Sequence, residues 1–336
     1  MTRRFNGGVR GKLSTISTSS ASGMWDLLSA HAERGASNWP SLALPALYAF
    51  TTYTFTPAGA SSSGARRDGP TLAQCQSAYS GSTFISSYFA VPVQGVQRLV
   101  VPVTGTYRVT AAGARGGTRA ADNRFGGSGR IIVADVSLTG GDYVYILVGH
   151  EGGPYTSAGQ GGGGGGGTFL STGASWETST LLVAAGGGGG HNDIEGTVEN
   201  KHGQTGTSGG GWGGGTNGNG GTQGNGSEQG APGGGWFSGG LNTSSYPGAQ
   251  IRSASTATGA ASVYGNASNV GGFGGGASGW GSSGGGGGYS GGGAQSTTSN
   301  TSNRVAGGGG GSYNTGTLVS NSGLRDADGY LTLTKL

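Results

Sequence analysis

The sequence predicts an all-β protein, a sandwich or jelly roll that carries an ordered glycine-rich part. Short strand-like segments recur from residue 53 onward and are separated by turns. Glycine makes up 82 of the 336 residues, about a quarter, against about 7% in an average protein. Only 11 of these glycines precede Ala111. Composition therefore places a boundary near residue 110, and the glycine-rich part needs a structural explanation.

Composition and charge exclude several classes of protein. Hydrophobic residues make up 32% of the chain and charged residues only 10%, which does not fit disorder caused by low hydrophobicity and high charge. The net charge of +4 comes from scattered basic residues, so we expect no nucleic-acid partner. The longest apolar run, residues 42–50, is far shorter than the roughly 20 residues of a membrane span, and we expect neither membrane insertion nor a signal peptide.

Residues 1–50 predict an N-terminal arm. Trp25, Leu28 and Ala32 recur at the spacing of a short amphipathic helix, which Gly35 would end. Two interpretations stay open: the helix packs on its own domain, or it docks on another subunit. In the second interpretation the docking residues are Met24, Trp25, Leu28, Trp39 and Pro40.

Residues 51–336 predict one β-domain with a single short helix. The helix is predicted over residues 68–79, with Pro70 in its first turn and with Leu72, Cys75 and Tyr79 on one face. Cys75 is the only cysteine, which excludes an intrachain disulfide, and we interpret it as a small buried side chain. Strands are predicted at residues 53–55, 96–101, 106–111, 130–137 paired with 143–148, 168–170, 181–185 and 330–334. About eight antiparallel strands predict a sandwich or jelly roll.

The glycine runs are predicted to be ordered. They lie at residues 161–167, 186–190, 209–211, 213–215, 233–235, 274–276, 284–288, 291–293 and 307–311. Such runs usually indicate flexible linkers. Here they are punctuated by large aromatic residues that need burial and alternate with strand-like segments, which argues against linkers. Extended threefold helices without Cβ atoms could pack closely and hydrogen-bond to one another.

Several matching stretches, in order, resemble a known extracellular domain over residues 59–336. They include Gly69-Pro70-Thr71, Ala73-Gln74-Cys75, Gly95-Val96-Gln97, Tyr145-Ile146-Leu147-Val148-Gly149, Ala184-Ala185-Gly186, Gly211-Trp212, Gly271-Gly272-Phe273 and Ser282-Ser283-Gly284. This order resembles the glycine-rich domain of the anaplastic lymphoma kinase and leukocyte tyrosine kinase receptors. The resemblance implies a sandwich of tumour-necrosis-factor type joined to a hexagonal bundle of polyglycine II helices. It does not imply the receptors' function.

A second resemblance covers the arm. Ser22-Gly23-Met24-Trp25 through Asn38-Trp39-Pro40 is similar to a leader found on phage virion proteins. Polyglycine helix bundles are similar, too, to the tip adhesins of some phage tail fibres. These resemblances imply a virion location, with the arm bound to other virion proteins.

No catalytic or cofactor-binding pattern stands out from the glycine background. Matches to the dinucleotide-binding motif Gly-x-Gly-x-x-Gly are expected by chance at this glycine content. The polar cluster His191, Asp193, Glu195, Glu199 and His202 is interpreted as a solvated loop rather than a metal site. We therefore expect no enzyme, no cofactor and no metal.

The function expected is that of a structural component of a phage virion appendage, a tail or head fibre, made in the host cytoplasm. We expect a homo-oligomer, with a trimer favoured. The alternative is a secreted or surface-exposed glycine-rich matrix or binding module of a bacterium. A host glycan or outer-membrane protein would contact loops between the glycine runs, or those loops would contact neighbouring subunits. The candidate receptor-facing residues are His191, Asp193, Glu195, Lys201, Tyr246, Arg252 and Tyr264.

Overall fold

Two antiparallel sheets form the framework of the molecule. The structure, a computed structural model, describes residues 46–59, 67–118, 125–155, 161–191, 200–222, 228–241, 251, 269–279, 282–294, 296–297 and 306–336. Its strands are β1 (Thr52–Phe55), β2 (Phe89–Val93), β3 (Val96–Val100), β4 (Gly105–Ala112), β5 (Gly129–Leu138), β6 (Tyr143–Leu147), β7 (Thr168–Thr172), β8 (Thr180–Ala185), β9 (Glu228–Gln229), β10 (Ser296–Thr297), β11 (Tyr313–Asn314), β12 (Thr317–Arg325) and β13 (Tyr330–Lys335). Sheet 1 has the order β1-β13-β4-β5-β12, and sheet 2 has the order β11-β8-β7-β6-β3-β2. A separate pair joins β9 to β10.

The main hydrophobic core lies between sheets 1 and 2. Alternate residues of the central strands point inward, as the period of two in a strand requires. Buried members from sheet 1 include Tyr107, Val109 and Leu333, and those from sheet 2 include Leu99 and Ile146. The all-β sandwich predicted from the sequence is therefore confirmed.

The end of the predicted arm packs on this core. The Leu47 amide donates to the Pro102 carbonyl at 2.9 Å. Tyr48 is only 7% exposed, and its ring stacks on Tyr88 with a centroid distance of 4.8 Å. Residues 46–50 thus contribute to the β-domain, while the predicted helix and docking residues of the arm, at 24–40, lie outside the described ranges.

The short helix α1 (Leu72–Ala78) confirms the sequence prediction. Its N-cap is Thr71, which exchanges hydrogen bonds with Gln74 in a capping box. Pro70 therefore precedes the cap instead of lying in the first turn. Cys75 is fully buried, and burial raises the pKa of its thiol to about 12. Leu72 is 40% exposed and does not share the buried face with Cys75.

One strand pairing differs from the sequence prediction. The sequence predicts that residues 130–137 and 143–148 pair with each other. In the structure, β5 pairs with β4 and β12, whereas β6 pairs with β3 and β7. The connection between β5 and β6 crosses from sheet 1 to sheet 2. The short connection between the two strands favours a hairpin. However, β5 and β6 each have an apolar face, and both faces are buried in the core when the strands lie in opposite sheets.

The glycine segments continue the strands at one end of the sandwich. Segments 113–117, 149–153 and 186–190 follow β4, β6 and β8, whereas segments 161–167 and 307–311 lead into β7 and β11. These segments consist mainly of glycine, and they are almost entirely buried. Their peptide groups bond to each other, which satisfies the buried donors and acceptors.

Hydrogen bonds within this lattice of glycine segments repeat every three residues. In segment 161–167, amides 162 and 165 donate to segment 186–191, amides 163 and 166 to segment 149–153, and amides 164 and 167 to segment 271–277. The backbone of 284–289 bonds to six neighbouring segments, at 161–167, 186–190, 231–234, 271–277, 291–293 and 307–311. A strand bonds to two neighbours at most, so this backbone is not a sheet.

A second hydrophobic cluster joins the lattice to the outer face of sheet 2. Tyr145 and Phe169 of the sheet contact Trp236 and Phe273 from the glycine-rich part, together with Trp176. The Phe169 and Trp236 rings stack with a centroid distance of 5.6 Å. In the described part of the chain, no helix has the length and apolar character needed to cross a membrane.

We expect alanine at Gly166 to destabilise the protein by about 3 kcal/mol or more, because an added Cβ would overlap the Phe273 carbonyl oxygen and backbone cannot move aside. Gly206 is the matched control, since nothing lies within 4 Å of an added Cβ there. Alanine at Gly206 should leave stability unchanged or raise it by up to about 1 kcal/mol. Urea unfolding of both variants measures the difference, and equal stabilities would contradict close packing of the lattice.

Candidate binding surface

Trp212 projects into solvent from a turn that only glycines permit. Its side chain is 72% exposed. The flanking residues Gly211 and Gly213 have φ of +75° and +70°, a region that other residues rarely adopt. An added Cβ at Gly213 would also overlap the Thr222 hydroxyl. The Gly-Trp-Gly sequence therefore turns the chain so that the indole leaves the lattice.

Phe237 lies on a second glycine turn nearby in the fold. It is 65% exposed, although its neighbour in sequence, Trp236, is 1% exposed. The Phe237 ring covers Gly218, where an added Cβ would overlap it. Its edge faces Tyr289 at a centroid distance of 6.3 Å, and Tyr289 stacks on Tyr313 at 4.5 Å.

Backbone hydrogen bonds join the two turns into one surface, which we call the aromatic surface and define as residues 211–222 and 235–241. The Phe237 amide donates to the Gly218 carbonyl at 2.8 Å, and the Leu241 amide donates to the Gly221 carbonyl at 2.9 Å. The Thr222 amide in turn donates to the Gly213 carbonyl at 2.6 Å. Leu241 is 57% exposed.

Besides its apolar side chains, the aromatic surface carries polar groups but no charged ones. Its sequence contains no Asp, Glu, Lys, Arg or His. The exposed polar side chains are amides and hydroxyls, and some are held by hydrogen bonds: the Asn219 amide donates to the Thr216 carbonyl at 3.1 Å, and the Gly220 amide donates to the Ser238 hydroxyl at 3.0 Å. The surface thus combines flat apolar groups with neutral hydrogen-bonding groups on a fixed backbone.

Most of the receptor-facing residues predicted from the sequence lie outside the described ranges. This applies to Asp193, Glu195, Tyr246, Arg252 and Tyr264, and to the predicted docking residues Met24, Trp25, Leu28, Trp39 and Pro40.

The two receptor-facing candidates that the structure describes belong to the lattice. His191 is only 4% exposed, because its backbone continues the glycine segment 186–190, accepting from Gly162 and donating to Gly117. Its side chain therefore does not face solvent, contrary to the prediction. Lys201 is partly exposed, and its carbonyl accepts the Gly189 amide at 2.7 Å.

A polar junction ties the turn between β12 and β13 to two glycine segments. The Arg115 guanidinium pairs with the Glu151 carboxylate at 2.7 Å. The Glu151 amide donates to the Asp328 carboxylate at 2.8 Å, and the Arg115 amide donates to the Ala327 carbonyl at 3.1 Å. Both Arg115 and Glu151 are mostly buried. The arrangement is that of a structural clasp, and the described residues contain no group of three or more possible metal ligands.

His202 lies beside this junction as a hydrogen-bond acceptor. Its Nδ1 accepts the Ser128 amide at 2.9 Å, which requires that nitrogen to be unprotonated. Burial lowers the pKa of the imidazole, and the nearby positive charges of Lys201 and Arg130 lower it further, while Asp326 acts in the opposite direction. The imidazole is therefore held neutral in the folded protein.

Comparison with known proteins supports a domain related to the receptor class named above. No protein-family model matches the chain. A segment of 101 residues is 41% identical to the leukocyte tyrosine kinase receptor of the mouse. The match covers 30% of this chain and 11% of the receptor. Because it spans about a tenth of the receptor's length, it supports a shared domain and says nothing of the activity of the whole receptor.

We expect the protein to lose stability as the pH falls below about 6.5, the ordinary pKa of histidine. The unfolded chain takes up a proton on His202 at a higher pH than the folded protein does, so the stabilisation is complete above that value and declines below it. His202→Asn keeps an oxygen acceptor for the Ser128 amide but cannot titrate.

Melting temperatures of both proteins between pH 7.5 and 5 measure this effect. The variant should lose less stability over the range than the parent protein. Parallel pH profiles for the two proteins would contradict a role for His202.

Proposed function

We propose that the chain is a non-enzymatic structural component of a phage virion appendage, a tail or head fibre, in which a polyglycine helix bundle presents side chains at its periphery. The observation that carries the proposal is the hydrogen-bonded lattice of glycine segments, which gives a rigid backbone with almost no side chains of its own. Such a scaffold fits display better than catalysis, because side chains can leave it only at turns.

The finer structural part of the proposal is that the glycine segments are polyglycine II helices. This helix has three residues per turn and no internal hydrogen bonds, so its amides point outward in three directions. The period of three in segment 161–167 and the six neighbours of segment 284–289 support this assignment. The exchange of strands between two sheets, with β1 paired to β13, supports a jelly roll of tumour-necrosis-factor type.

The virion part of the proposal rests on the N-terminal arm. Residues 22–40 resemble a leader of phage virion proteins, with Met24, Trp25, Leu28, Trp39 and Pro40 as docking residues. Residues 46–336 form a compact unit that has a hydrophobic core. On the basis of this resemblance we assign the arm to assembly, and we propose a homo-oligomer, with a trimer favoured, as the assembled form.

We expect the amides of residues 162–167 and 284–288 to be protected from hydrogen exchange by factors comparable to those of the central strands, because each donates a hydrogen bond to a neighbouring segment. Gly81 and Gly206 serve as internal controls, since both are exposed and neither amide donates a backbone hydrogen bond within the described part of the chain. The measurement is exchange followed by NMR on isotope-labelled glycine. Exchange at the rate of a free peptide in both runs would rule out the helix bundle.

Two truncations test the role of the arm. Removal of residues 1–45 should leave a soluble, folded protein that no longer enters particles, because the core begins with residues 46–50. Removal of residues 1–50 should also destabilise the fold, since it deletes the buried Tyr48 and the packed Phe50. Melting temperature and incorporation into purified particles are the two measurements. Incorporation of the shorter truncation at the normal level would contradict docking through the arm.

A further inference from the structure

We propose that the aromatic surface binds a neutral saccharide, with sugar rings stacked on Trp212 and Phe237. This inference goes beyond the assembly role proposed above and stands whether or not the chain belongs to a virion. It also assigns recognition to a part of the lattice that differs from the loops predicted from the sequence.

The first argument is the concentration of exposed apolar groups. Trp212, Phe237 and Leu241 are the three most exposed large hydrophobic side chains among the described residues, at 72%, 65% and 57%. All three lie within one surface, although the chain buries other aromatic residues of its glycine-rich part, such as Trp236 and Phe273. Clustered exposure of this kind marks an interaction site, whereas single exposed side chains do not.

The second argument is that the backbone is built to produce the exposure. A left-handed glycine stands on each side of Trp212. Asn217 also has a positive φ, of 54°, and precedes the left-handed Gly218 under the Phe237 ring. Unfavourable conformations of non-glycine residues tend to occur at functional sites. The turns are in addition fixed by the lattice, so little conformational freedom is lost when a ligand binds.

The third argument identifies the ligand class by charge. An anionic or cationic partner is usually met by complementary charge, but residues 205–222 and 230–241 contain no charged side chain. A neutral sugar ring has an apolar C–H face that suits a flat aromatic side chain and a rim of hydroxyls that suits amides and hydroxyls. The exposed Thr216, Asn217, Asn219 and Ser238 supply such groups within the residue ranges of the aromatic surface.

The test uses the purified full chain in affinity gel electrophoresis with five neutral polymers, dextran, mannan, galactan, xylan and glycol chitin. Heparin serves as the charged comparison. We expect retardation by at least one neutral polymer. The net charge of +4 favours some retardation by heparin, and this should be the same for the parent protein and Trp212→Ala. Trp212→Ala should weaken binding of the neutral polymer about tenfold or more, as loss of a central aromatic contact does. Phe237→Ala should weaken it as well, and Trp212→Tyr should keep part of it.

The matched control is Phe125→Ala, which removes another exposed aromatic ring, 52% exposed, that lies near Arg115 and outside the aromatic surface. It should bind as the parent protein does. Melting temperature shows that each variant is folded, and Trp212→Ala should melt normally because its side chain packs on little.

Three results would overturn the inference. They are absence of retardation by all five neutral polymers, equal retardation of the parent protein and Trp212→Ala, and a Trp212→Ala variant that keeps saccharide binding but loses self-association. The last result would make the surface an interface between proteins. Incorporation into particles is scored separately, so failure of saccharide binding and failure of the virion proposal remain distinguishable.

Discussion

Direct hydrogen bonding between glycine backbones is the interaction on which the rest of the structure depends. A peptide group buried without a partner is strongly unfavourable, and a segment such as 161–167 has no side chains that could shield or satisfy its own backbone. It is stable only where other segments approach closely enough to bond, and almost every added Cβ in the lattice would overlap the backbone of another segment. The bonds therefore require glycine, because the methyl group of a single alanine would push apart two segments that must be in contact.

Because the lattice contributes few side-chain contacts, the sandwich must organise it. Strands β4, β6, β7 and β8 deliver glycine segments from one end of the two sheets, so the spacing of the strands sets the starting positions of those segments. Trp236 and Phe273 then fix the lattice against the outer face of sheet 2, and the Arg115–Glu151 pair fixes it to the turn before β13. Ordering a glycine backbone is costly in entropy, and these side chains supply the burial that bonds between glycines lack.

The sequence predicted those parts of the fold whose signals are local. Helix α1, buried Cys75 and the strands with apolar alternation were all evident. Five strands were missed: β9, β10 and β11, which have two residues each, and the longer strands β2 and β12. The two longer ones were missed for physical reasons. Pro92 within β2 argues against a strand, and it is tolerated because β2 is at the edge of sheet 2. Strand β12 is also an edge strand, exposed along most of its length and interrupted by two register shifts, so it has no alternating pattern. The strands with which β5 pairs are determined by packing against the opposite sheet, and a local sequence pattern contains no information on that packing.

The aromatic surface was missed because large aromatic residues in a glycine background were expected to be buried. That reasoning is correct for Trp236 and wrong for Phe237, although the two are adjacent in sequence. The lattice has no room for large side chains, so an aromatic side chain either packs in the cluster against sheet 2 or is exposed to solvent. Which one it takes depends on the direction of the backbone at that residue, and this direction is set by left-handed glycines such as Gly211, Gly213 and Gly218. In a chain of this composition, a glycine-flanked aromatic residue at a turn thus indicates a side chain exposed to solvent. The same residue beside a strand indicates a side chain that packs the lattice against the sheet.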